Sequence, residues 1–181
     1  MKAVYFTEHG GPEVFKFGEL PEPTPGEGEV KIKVKACALN RLDVYTRAGV
    51  RGTKMDLTEP HVLGADVSGE VVEIGPKVTR ISAGDRVVVN PRITCMQCRY
   101  CQSNQSEYCA SAGMVGSTIS GGYAEYVVVP ATNAFSIPDN LSHVQAASLP
   151  TVFLPSWNIL IRRSQLKPWE TALVPSASSG V

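Results

Sequence analysis

Cys95-Met-Gln-Cys98-Arg-Tyr-Cys101, with Cys109 following after a gap of seven residues, gathers four of the chain's five cysteines into one short stretch. Two thiolates separated by two residues can turn back onto a single ion. Four give the closed, all-sulfur tetrahedral shell that Zn²⁺ takes in structural sites. An iron–sulfur cluster is the first competitor, but the bacterial cluster run has a shorter last gap and a proline after the final cysteine. Two disulfides are the second, and nothing in the chain places it in an oxidising compartment. The stretch therefore predicts one structural zinc on Cys95, Cys98, Cys101 and Cys109. A shell closed by protein sulfur leaves no position for water or substrate, so this metal staples a loop and any catalysis lies elsewhere.

Around that loop the chain reads as short strands. Val30, Ile32, Val34 and Ala36 alternate with Lys31, Lys33 and Lys35, which predicts a strand with one buried and one wet face. Residues 2–7 and 13–20 flank a Gly10-Gly11-Pro12 turn, and residues 21–28, with three prolines and two glycines, read as a loop. Residues 62–74 form an apolar strand in which Gly69 marks a bulge or a close backbone approach. Arg86 to Asn90, Tyr123 to Val129 and Ala134 to Ile137 add further strands. Many short strands with Gly/Pro punctuation predict a barrel or a sandwich. Asn40 to Gly49 reads as a short helix with Asn40 as N-cap, Asp43 in its first turn and Gly49 as its stop.

The character changes after Pro138. Ser142-His-Val-Gln145 is a capping box, and Val152, Phe153, Trp157, Leu160, Ile161 and Leu166 recur at helical intervals. Pro155 must then sit in a first turn or break the run. Thr171 to Val174 reads as a strand leading into the small-residue turn 175–181, the way a dinucleotide-binding unit begins.

Composition narrows the partners. Seventeen basic and seventeen acidic residues leave no net charge, which argues against nucleic acid or an anionic membrane as partner. The first residues turn polar too early for a signal peptide, and no apolar run is long enough for a transmembrane span. The expectation is a soluble, cytoplasmic protein. Cys37 reads as a small buried hydrophobe.

Several stretches together resemble the medium-chain dehydrogenase/reductase superfamily of zinc-containing alcohol dehydrogenases and quinone reductases. They are Ala38-Leu-Asn-Arg-Leu-Asp43, Leu63-Gly-Ala-Asp-Val-Ser-Gly-Glu70, Val72-Glu-Ile-Gly-Pro76, Gly84-Asp-Arg-Val87, the Cys95–Cys109 lobe, Gly122-Tyr-Ala-Glu-Tyr126 and Ala177-Ser-Ser-Gly-Val181. The resemblance implies a mainly β, α+β fold: a GroES-like, partly open β-barrel substrate domain over residues 1–138, with a zinc lobe at 91–110. Connecting helices would follow at 139–170, and 171–181 would be the first strand and turn of a truncated Rossmann domain. It implies NAD(P)H as cofactor, with Ser178, Ser179 and Gly180 at the nucleotide turn, and leaves room for a homo-oligomer.

The departures from the family pattern are informative. In alcohol dehydrogenases of this family a catalytic zinc is held by a Cys, by the His of a Gly-His-Glu run, and by a further Cys or Asp. The matching positions here are Asn40, Ala65 and Thr151, and neither an alanine nor a neutral amide is a normal strong zinc ligand. Pro155-Ser156 stands where a Thr-Ala pair is usual, and Ser176 where a Gly is expected. The expectation is a reductase of quinones or conjugated carbonyls without catalytic zinc, its pocket built from Asn40, Asp43 and Asp66, and inactive as this chain alone. The competing reading is a non-catalytic, zinc-stapled β-barrel that binds a partner or is a remnant.

Overall fold

The computed structural model describes residues 1–174, and the turn with Ser178, Ser179 and Gly180 lies outside them. Ten strands and four short α-helices follow one another as β1 (Lys2–Phe6), β2 (Lys16–Glu19), β3 (Glu29–Ala38), α1 (Arg41–Ala48), β4 (His61–Val62), β5 (Asp66–Ile74), β6 (Arg86–Val89), β7 (Arg92–Ile93), α2 (Arg99–Gln102), β8 (Gly113–Met114), β9 (Tyr126–Pro130), β10 (Ala134–Ser136), α3 (His143–Ala147) and α4 (Pro150–Trp157). A π-helical segment, Asn158–Arg163, continues α4.

The central sheet has the order β10-β6-β5-β3-β9, and β2-β1-β4 forms a second sheet. Every strand ladder is antiparallel. The two sheets meet where Val4 N–H donates to Tyr123 O (2.8 Å) and Glu125 N–H to Lys2 O (3.1 Å), which curls them into a partly open barrel. Its interior is filled largely by valines, including Val30, Val67, Val71, Val87, Val89 and Val129. Their β-branched side chains are stiff on a pleated surface and lose little freedom on burial there. Phe6, Val14 and Leu63 form a second cluster beneath β1.

Two glycines shape the part of the barrel that carries the site. At Gly69 an added Cβ would lie 2.2 Å from Lys33 O, so only glycine permits β3 and β5 to approach this closely. The register slips between Val34 and Ala36, beside Gly69, which is the bulge expected there. Gly64, at φ +103°, splits the apolar run 62–74 into β4 and β5, and its missing Cβ leaves room for the Tyr123 ring and Cys37 Sγ.

Three expectations need correction. Lys31 does not face water: it is only 9% exposed, because the proline-rich loop brings Glu22 over that face of β3. Its ammonium pairs with Glu22 (2.7 Å) and Glu73 (3.0 Å) and lies 5.4 Å from the Tyr126 ring centroid. Pro155 neither starts nor ends its helix. Pro150 takes the first helical position and Pro155 sits inside α4. Its ring nitrogen offers no hydrogen to the Thr151 carbonyl, and the backbone widens to π geometry three residues on. Residues 171–174 form no strand, because no neighbour offers them a ladder among the described residues, and Leu173 is 92% exposed.

The Ser142 capping box is formed. Gln145 N–H donates to Ser142 Oγ, and Ser142 N–H to Gln145 Oε1. No helix among the described residues is long and apolar enough to cross a membrane.

Candidate functional site

Helix α1 begins where the fold requires it. Asn40 is extended just before Arg41, and Asp43 Oδ2 accepts from Asn40 N–H at 2.8 Å, the backward half of a capping arrangement. Gly49 closes the helix in the left-handed conformation. With its start pinned, Asn40 projects its amide toward β5, where Asp66 pairs with Ala38.

Asp66 is the hub of the site, and it is almost fully buried at 1% exposure. Its Oδ2 accepts from Asn40 Nδ2 at 3.0 Å. Its Oδ1 accepts from the Thr151 amide at 3.0 Å and the Thr151 hydroxyl at 2.7 Å. Positions 40, 66 and 151, far apart in sequence, thus converge on one carboxylate, with Ala65 buried beside it. A buried carboxylate is tolerated only if its charge is compensated, and here three donors share that role.

Asp43, expected in the pocket beside Asn40 and Asp66, serves as a brace. It is 7% exposed. Besides Asn40 N–H it accepts from the Tyr123 hydroxyl at 2.9 Å and from Gly64 N–H at 3.2 Å. One carboxylate therefore ties the start of α1 to the β4–β5 corner, the two segments that deliver Asn40 and Asp66. Burial raises its pKa above the ordinary carboxylate value, against the lowering influence of those three bonds. The same burial, with Asp43 nearby, pushes the Tyr123 phenol up. The Cys37 thiol, half-buried below the Gly64 corner, is pushed up to about 12 by burial and by Asp43 and Asp66, so it stays protonated and unreactive. Tyr123 escaped the sequence reading. Its only local signal was the Gly121-Gly122 pair before it, which lets the chain pass close to the Gly64 corner.

The residues around Asp66 do not fit a catalytic zinc. An amide, an alanine methyl and a threonine hydroxyl offer no thiolate, imidazole or second carboxylate, and the Asn40 and Thr151 donors are already engaged with Asp66.

The cysteine lobe is the opposite case. The Sγ atoms of Cys95, Cys98, Cys101 and Cys109 all lie within 4.8 Å of one another. Neighbouring pairs stand at 3.5, 3.6 and 3.9 Å. A tetrahedron with Zn–S of about 2.3 Å has edges of about 3.8 Å, so the donor set matches zinc in number, chemistry and size. Backbone N–H groups of Gln97 and Cys98 hold the Cys95 thiol down to about 6, while burial and the neighbouring thiols push Cys101 up to about 11, so without a cation the four do not ionise together.

Comparison with known proteins agrees with this geometry. Residues 26–139 match the family described as the alcohol dehydrogenase GroES-like domain. The chain belongs to that family. It is 36% identical over 140 residues to the L-threonine 3-dehydrogenase of Shewanella woodyi, covering 77% of this chain and 40% of that one. It is 37% identical over 129 residues to the Yersinia pestis enzyme of the same name, covering 71% and 38%. Among solved structures, an NAD-dependent alcohol dehydrogenase superposes with TM-score 0.88 at 42% identity, covering 94% of this chain and 49% of that one. A cobalt- and zinc-bound thermostable alcohol dehydrogenase from Pyrobaculum aerophilum gives 0.88 at 38%, covering 99% and 52%. The chain spans about 40% of the length of these curated relatives.

Proposed function

We propose that this chain forms the substrate side of an NAD(P)H-dependent reductase that acts on quinones or conjugated carbonyls without a catalytic zinc, and that the cysteine lobe holds one structural zinc. The observation that carries this reading is the Asp66 hub. Where alcohol dehydrogenases of the family place zinc ligands, Asn40 and Thr151 donate hydrogen bonds to a carboxylate. A site without a Lewis acid must stabilise the incoming negative charge with hydrogen bonds alone. Such a site favours acceptors that spread hydride charge over a conjugated system and disfavours simple alcohols, whose deprotonation a metal assists.

Within this reading the Asn40 amide is the polarising group. Asp66 takes one of its two Nδ2 hydrogens and thereby fixes the amide's orientation. The second hydrogen is left for the substrate oxygen. Asp66 and Asp43 act through Asn40 and are positioning residues. NAD(P)H would supply the hydride.

The test joins this chain to the nucleotide-binding domain of a zinc-type relative. NAD(P)H oxidation is followed with a quinone and an enone, and NAD(P)⁺ reduction with primary and secondary alcohols. Quinone or enone reduction is expected first, at one zinc per chain. Alcohol oxidation as the dominant activity would overturn the proposal.

A further inference from the structure

Thr151 faces two ways. Its amide and hydroxyl bind Asp66, and it also lines a cleft of about 500 Å³ between α4 and the zinc lobe. The apolar part of the wall comes from Pro91, Met114, Leu154 and Trp157, and two guanidiniums, Arg92 and Arg162, stand among these residues.

Both guanidiniums are held by the cysteine lobe. Arg92 Nη2 donates to Glu107 O at 3.0 Å, and Arg162 Nη2 donates to Asn104 O at 3.2 Å. Both acceptors are neutral main-chain carbonyls in the loop between Cys101 and Cys109, so each arginine is positioned without being neutralised. Each keeps most of its five N–H donors for another partner. The cleft also contains one carboxylate, Glu107, and its Oε1 lies 3.9 Å from Arg163 Nη2. Two lining arginines, Arg92 and Arg162, against one glutamate that Arg163 already pairs from outside the lining leave an excess of positive charge beside an apolar wall. Asn90 and Asn158 add neutral amides.

We infer that this cleft is a subsite for the acidic group of the substrate, a carboxylate or a phosphate ester, with Arg92 and Arg162 as its anchors and the zinc lobe as the scaffold that aims them. The inference rests on the reading of Asn40, held by the Asp66 hub that Thr151 also binds, as the reacting end of the site, and it names the substrate class as an acidic conjugated carbonyl. The planar body of such a molecule would lie along Leu154 and Trp157 while its anionic end meets the guanidiniums, the arrangement in which arginine binds carboxylate or phosphate in bidentate fashion. It also gives the structural zinc a second consequence. Removing the metal releases the loop that carries the Asn104 and Glu107 carbonyls, and with it the aim of both arginines.

Equilibrium binding tests this without turnover. Benzoate, phenyl phosphate and the neutral isostere benzamide are titrated into the zinc-loaded chain at low and at high salt, read by calorimetry and by Trp157 fluorescence. The two anions separate a carboxylate site from a phosphate site. At least one anion is expected to bind at least tenfold more tightly than benzamide, with the advantage shrinking at high salt. Arg92→Gln and Arg162→Gln should each weaken anion binding about tenfold or more and leave benzamide unchanged, in line with hydrogen bonds to charged groups. Arg99→Gln, in the lobe but outside the cleft, should bind like the parent. Zinc chelation should abolish the anion preference. Equal affinity for benzoate, phenyl phosphate and benzamide, no binding of any probe, or arginine variants that bind like the parent would overturn the inference. None of those outcomes bears on whether enones are reduced, so the reductase reading stands or falls separately.

Discussion

Replacing Asp43 by Asn probes the brace that aligns the site. Asp43 Oδ2 accepts from Asn40 N–H and the Tyr123 hydroxyl, and Oδ1 accepts from Gly64 N–H. An asparagine has one acceptor oxygen. Placed at the Oδ2 position it keeps two bonds, but its NH₂ then faces the Gly64 N–H, leaving a buried donor without an acceptor at a cost of about 1–3 kcal/mol. Burial of the charge opposes this, since a neutral Asn amide costs less to desolvate than a carboxylate, and burial is the largest influence on the Asp43 pKa. The expected loss at neutral pH is therefore at the lower end, about 1 kcal/mol. Asp43→Ala would orphan all three donors, up to about 9 kcal/mol by the same rule, comparable with a whole domain's stability, and is not expected to fold.

Urea unfolding of parent and Asp43→Asn, at unchanged m-value, measures the difference. Its pH dependence is a second check. Because the folded pKa is raised, the contribution of Asp43 is fully present below the ordinary carboxylate pKa and declines as pH rises through the raised one. The parent's advantage over Asn should thus be larger in acid and shrink toward neutral pH. Tyr123→Phe should also destabilise, and the two changes should be non-additive by at least about 0.5 kcal/mol, since they share a bond. An Asn variant as stable as the parent at every pH, or an advantage that grows with pH, would refute the reasoning.

Two other expectations concern the frame. Metal analysis should give one zinc per chain, and Cys98→Ser should make residues 91–110 protease-sensitive while the barrel stays folded, because the lobe adds only the small β7–β8 pair to the sheets; global unfolding on chelation would contradict this. Gly69→Ala should cost about 1–3 kcal/mol or more, since its Cβ would sit 2.2 Å from a backbone oxygen that cannot rotate away; unchanged urea stability would contradict that.

What could be read from the sequence was local. The cysteine spacing, the Asn40–Gly49 helix with its cap and stop, the Gly69 bulge and the Ser142 box each involve residues close in the chain or a backbone demand that one residue type satisfies. The failures were contacts across the fold. Lys31 alternates correctly for a wet face, and only the return of the proline-rich loop with Glu22 buries it. The bond from Tyr123 to Asp43 was equally out of reach, since the two residues are 80 positions apart. The 171–174 run has strand composition, but a strand exists only where a neighbour pairs with it, and composition carries no information about that.

The convergence on Asp66 has a consequence for how such a site can change. Asp66 is 1% exposed and, among the described residues, has no basic side chain bonded to it; its oxygens are met by Asn40 Nδ2, Thr151 N and Thr151 Oγ1. A buried carboxylate near a bound cation needs few donors, whereas one without a cation needs several. Asn40 and Thr151 therefore form a matched set with the alanine at 65, and altering one of them alone should be worse than altering all together. Asn40→Cys removes one donor and sets a thiol against a carboxylate, for an expected loss of about 1–3 kcal/mol in urea unfolding. Asn40→Cys combined with Ala65→His and Thr151→Asp supplies thiolate, imidazole and carboxylate at two positions whose present side chains meet on Asp66 and at the buried position next to it in the chain. That triple variant should take up a second zinc per chain, and its stability should depend on zinc more steeply than the parent's. A triple variant that stays at one zinc while remaining folded would show that the backbone around Asp66 does not hold a metal-binding geometry, and that the hydrogen-bonded arrangement is more than an exchange of side chains.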